Sequence, residues 1–85
     1  MIAIHNVSEG RETCDSLRKE LSQLSYNPDL QKMLRNIDSM VTELSKIEVN
    51  SRRLKSSIHI QDQLDKINSS LNHLSSLILM ARIMD

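Results

Sequence analysis

Residues 60–81 read IQDQLDKINSSLNHLSSLILMA. Ile60, Leu64, Ile67, Leu71, Leu74, Ile78 and Ala81 recur at alternating spacings of four and three, and all seven are apolar. That spacing places them on one side of an α-helix, as a seam that packs against other helices. Sheet and loop readings of this stretch are thereby excluded, and the rest of the chain is read outward from it.

Upstream, the positions 33, 37, 40, 44, 47, 51, 54 and 58 repeat the same spacing, with Ser51 as the single polar member. Leu30, Leu34 and Val41 widen this stripe to the face of a bundle helix. The two frames are out of step, and the slip falls near His59. Two architectures explain it. One is a single long helix from about residue 28 to 84 with a stutter in its supercoil. The other is a bend between Val49 and Ser57 that folds two helices against each other. Asn50, Ser51, Ser56 and Ser57 are residues that cap helices, whereas Glu48 and Arg52 at i,i+4 reinforce continuity. A continuous helix would extend roughly 85 Å at about 1.5 Å per residue. Compactness favours the bend, and the expected fold is all-α: an antiparallel helical hairpin or three-helix bundle with coiled-coil packing.

The third element lies further upstream. Cys14, Leu17, Leu21 and Leu24 form a narrow stripe, predicting a first helix over about 13–25 capped by Thr13 or Ser8. Asn27-Pro28-Asp29 ends it and opens the next, because Pro fits the first turn of a helix and Asn caps it. The expected helices are thus about 13–25, 28–49 and 52–84, within a single domain over 12–85. Residues 1–11, which lack a helical period and contain Gly10, are expected to form a flexible arm. Ile2, Ile4 and Val7 alternate weakly, leaving an induced strand as a second reading.

Composition agrees with a small helical protein. The 85 residues include one glycine, one proline and one aromatic residue, too few for the turns and cores of a β fold. Eleven basic residues balance eleven acidic ones, and no electrostatic footprint for nucleic acid is evident. The one basic cluster, Arg52, Arg53 and Lys55, reads as a solvated helix face or bend. Met1-Ile2-Ala3-Ile4-His5 has no basic and apolar regions of a signal peptide, and no run reaches the roughly 20 apolar residues that span a bilayer. The lone cysteine fits an intracellular, cytoplasmic location.

Catalytic constellations are not evident. His5, His59 and His73 are dispersed, and Asp62 with Asp65 reads as a solvated face beside Lys66. Cys14 is in register with Leu17 and Leu21, so a buried small side chain is expected rather than a nucleophile. No cofactor, metal, small-molecule substrate or enzymatic activity is expected.

Interaction is the function that remains. Leu77-Ile78-Leu79-Met80-Ala81-Arg82-Ile83-Met84 is apolar at every position but one, near an end where few neighbours of the same chain can cover it. The expected partner interface is Ile60, Leu64, Ile67, Leu71, Leu74, Leu77, Ile78, Met80, Ala81, Ile83 and Met84. It would engage partner helices or a second copy of the chain, as a subunit of a larger complex. Membrane-surface binding by the same segment lacks the flanking basic face it would need.

A second reading starts from Asn27-Pro28-Asp29-Leu30. A chain of this length with a Pro-containing turn between helices resembles the type III secretion needle proteins. The resemblance implies a filament component or a small chaperone that binds an amphipathic partner helix. The long heptads after the turn depart from the needle pattern and suit the chaperone better.

Overall fold

The computed structural model describes residues 1–24, 29–52 and 57–84. It contains three helices, α1 (Val7–Ser22), α2 (Leu30–Arg52) and α3 (Ser57–Met84), each packed on the other two as an all-α bundle. The longest dimension is 45 Å. A helix of 28 residues spans about 42 Å, so α3 alone sets the length, and a continuous helix from 28 to 84 would not fit.

The chain runs up, down and up. Arg11 pairs with Glu48 and Arg18 with Asp38, so α1 and α2 are antiparallel. The Asn50 amide donates to Gln63 where α2 ends and α3 begins. The Glu48–Arg52 pair does form, but inside the last turn of α2. The expected caps Asn27 and Ser56 and the expected first-turn Pro28 lie outside the described residues, as do Arg53, Leu54 and Lys55.

The three stripes meet in one apolar core. α1 contributes Cys14, Leu17 and Leu21; α2 contributes Met33, Ile37, Met40, Leu44 and Ile47; α3 contributes Leu64, Ile67, Leu71, Leu74 and Ile78. No polar or charged side chain is buried with them among the described residues. Burial of this apolar area is what holds helices rich in serine, a mediocre helix former, in place.

The N-terminal part departs from expectation. α1 begins at Val7, not near Thr13, and ends at Ser22 rather than 25. Its cap is Asn6, in extended geometry, whose side-chain oxygen accepts from the Glu9 N–H at 2.9 Å. Glu9 reaches back to accept from the His5 N–H at 2.8 Å, as in a capping box shifted by one residue. Thr13 lies within the helix, its hydroxyl donating to the Glu9 carbonyl.

Gly10, taken in the sequence as a mark of irregular chain, is a buried helical residue. A Cβ there would stand 2.7 Å from Leu44 Cδ2 and 3.1 Å from Ile4 Cδ1, so the absent side chain lets α1 approach α2 closely.

The segment before α1 is not a free arm. Ile4 is 4% exposed and belongs to the core, with Ile2 packed against it.

Candidate interaction surface

The expected interface divides into two groups. Leu64, Ile67, Leu71, Leu74 and Ile78 are buried inside the chain's own bundle. Ile60 and Leu77 pack against that core, and Ala81 is half-buried. These seam residues already have partners on α1 and α2. The outer positions differ: Met80 is 58% and Ile83 78% exposed, and they are joined by Leu79 at 58%. The side chain of Met84 lies outside the described residues.

Leu79 is absent from the expected interface because it belongs to neither heptad position, yet it is exposed beside Met80 and Ile83. Its signal is spacing to Ile83, four residues on, which puts the two on one face. Met80 and Ile83, three apart, complete an apolar patch on the final turns of α3. Among the described residues of these last turns, Arg82 is the one charged side chain.

At the other end of the bundle the N-terminus of α1 borders a shallow groove of about 540 Å³. Its floor is Ile47, Ile60 and Leu64. Its rim carries Glu48 between two guanidinium groups, Arg11 at 2.6 Å and Arg52 at 2.9 Å. Both guanidinium groups on this rim pair with that one carboxylate.

A third feature lies along α3. Asn68 and Asn72 each make two hydrogen bonds to the main chain of the extended N-terminal segment. Asn68 Oδ1 accepts from the Ile4 N–H at 2.7 Å, and its Nδ2 donates to the Ile4 carbonyl at 3.1 Å. Asn72 does the same for Ile2, both at 2.8 Å. Asn72 Nδ2 also donates to the Asn68 carbonyl at 2.9 Å, which fixes its orientation.

Reactive groups are sparse. Cys14 is buried, and burial, the largest influence, pushes its thiol above the ordinary value; Arg18 acts in the lowering direction and Asp15 in the raising one. No group of three or more metal-ligating side chains occurs among the described residues. No helix of the described residues is long and apolar enough to cross a membrane.

No protein-family model matches the chain, and no curated protein and no solved structure matches it either.

Proposed function

We propose that the protein is a non-enzymatic interaction subunit, a small helical bundle that joins a larger intracellular assembly. The observation that carries this reading is the patch of Leu79, Met80 and Ile83 on the last turns of α3, left bare although the chain has a well-filled core. Large aliphatic side chains grouped on a surface mark contact sites more often than chance exposure. The partner is a helix of another protein or of a second copy, packed on this face in coiled-coil fashion.

Interior seam residues hold the bundle, and the outer positions are left for assembly. Light-scattering mass over a concentration series, with circular dichroism, tests this on the full chain and on a Met80→Asp, Ile83→Asp double variant. The expected result is association, with itself or with a co-purifying protein from the native source, that the double variant loses while keeping its helicity. Association unchanged in the double variant would sink the proposal, as would a chain that stays monomeric and co-purifies with nothing.

A further inference from the structure

The paired amides of α3 form a device that reads an extended polypeptide. Successive i,i+4 positions on a helix are separated by about 6.0 Å along its axis, and successive i,i+2 positions on a strand by about 6.6–6.8 Å. Asn68 and Asn72 therefore meet alternate residues of an extended chain, here Ile4 and Ile2. Each amide satisfies both the N–H and the carbonyl of its residue, as a neighbouring strand would. These four contacts are to main-chain atoms, so they select conformation rather than side-chain identity. Selection of side chains comes from below, where Ile4 fills an apolar site against Gly10.

We infer that this face of α3 is a docking site for an extended segment of a partner protein with aliphatic side chains at alternate positions. The chain's own residues 2–4 occupy it as an intramolecular stand-in. The own segment holds an advantage, because its attachment to α1 keeps it at high effective concentration. A competitor needs contacts the stand-in does not make, and α3 provides them. Asn68, Asn72, Ser76 and Leu79 follow at spacings of four, four and three and so share a face. The own segment runs antiparallel to α3, with Ile2 at Asn72. A partner strand in the same orientation, extended at its N-terminal end past the position of Ile2, passes Ser76 and reaches Leu79, both exposed. A longer partner strand would cover what the stand-in leaves bare. This site meets the patch proposed above only at Leu79, and either assignment can fail without the other.

The test uses the full chain and a synthetic peptide of roughly nine residues, isoleucine alternating with threonine and lysine. Its match is the same peptide N-methylated at two alternate isoleucines. Binding is read by anisotropy, and displacement by hydrogen exchange at the Ile2 and Ile4 amides. The plain peptide is expected to bind and to raise exchange at both amides about tenfold or more. The methylated peptide, lacking two donors, is expected to bind at least about tenfold more weakly. An Asn68→Ala, Asn72→Ala double variant is expected to lose the plain peptide. Should that variant not fold, the two peptides on the unmodified chain still decide the matter. Equal binding of both peptides, or none of the plain peptide at about 1 mM, would overturn the inference. A concentration-dependent dimer with protected Ile2 and Ile4 amides, abolished by the asparagine changes, would assign the site to a second copy and overturn the partner assignment. Met80→Asp with Ile83→Asp is expected to leave peptide binding unchanged, which separates this site from the helix-packing patch.

Discussion

Gly10 of α1 lies directly against Leu44 of α2, so close that a Cβ on the glycine would sit 2.7 Å from Leu44 Cδ2. Two effects compete in Gly10→Ala. Helix propensity improves by about 1 kcal/mol. Overpacking a filled core costs about 1–3 kcal/mol, and Leu44, fully buried, has little room to turn aside. Packing is expected to win by about 1 kcal/mol, lowering the melting temperature by roughly 4–8 °C. A melting temperature equal to or above the parent's would show that Leu44 yields.

Two positions about three turns apart on α3 should respond very differently. Leu71 is fully buried and Ile83 is 78% exposed. Leu71→Ala leaves a cavity and is expected to cost about 2–5 kcal/mol. Ile83→Ala removes an exposed side chain and is expected to change stability by less than about 0.5 kcal/mol. Urea unfolding of the two variants checks this, and similar losses would mean that Ile83 is covered in solution.

The helical stripes were legible because side-chain hydrophobicity and its helical period are both read locally from the sequence. Among the described side chains, every buried residue of α2 and α3 lies on its predicted seam: Met33, Ile37, Met40, Leu44 and Ile47, and Leu64, Ile67, Leu71, Leu74 and Ile78. What spacing does not reveal is which seam faces which. The same seven α3 positions read equally well as a partner interface, and only the fold shows α1 and α2 using most of them. The start of α1 was misplaced because Gly10 lowers helix propensity, whereas its role depends on Leu44, thirty-four positions away. Asn68 and Asn72 look like ordinary solvated residues in sequence. Their purpose depends on Ile2 and Ile4, whose weak alternation was the only hint of an extended segment.

Alkaline pH should weaken the fold through Cys14. Burial raises the thiol's pKa above its ordinary value of 9.0 in the folded protein. The folded state then holds the proton more tightly than the unfolded state does. The corresponding stability is fully present below pH 9 and declines as pH rises from there through the folded value. Denaturant midpoints measured from pH 8 upward should fall, and Cys14→Ala should flatten part of that fall while lowering stability at neutral pH by leaving a small cavity. An identical slope in the variant would remove Cys14 as a cause.

The ion pairs between α1 and α2 should contribute little to stability. Arg18 and Asp38 approach to 2.7 Å, but both side chains are largely exposed. Solvent screening and side-chain entropy reduce such a pair to about 0–1 kcal/mol. Arg18→Ala is therefore expected to be nearly silent in thermal melts, and raising salt should leave the parent's midpoint within about the same small range.

Asn6 decides where α1 begins, and its substitutions should sort by what they can accept. Its Oδ1 takes the Glu9 N–H, a donor that has no partner within the helix. Asn6→Ala removes that acceptor and is expected to cost about 1 kcal/mol. Asn6→Asp keeps the acceptor and adds a negative charge at the positive end of the helix dipole, so it should match or exceed the parent. The change also reaches beyond the cap. Fraying of the first turn loosens the attachment of Ile4, whose burial beside Gly10 depends on where the helix starts. Hydrogen exchange is thus expected to accelerate at Glu9 and, to a smaller extent, at the Ile4 amide held by Asn68. Faster exchange at Glu9 with Ile4 unaffected would show that the strand segment is held by the asparagines alone, independently of the cap.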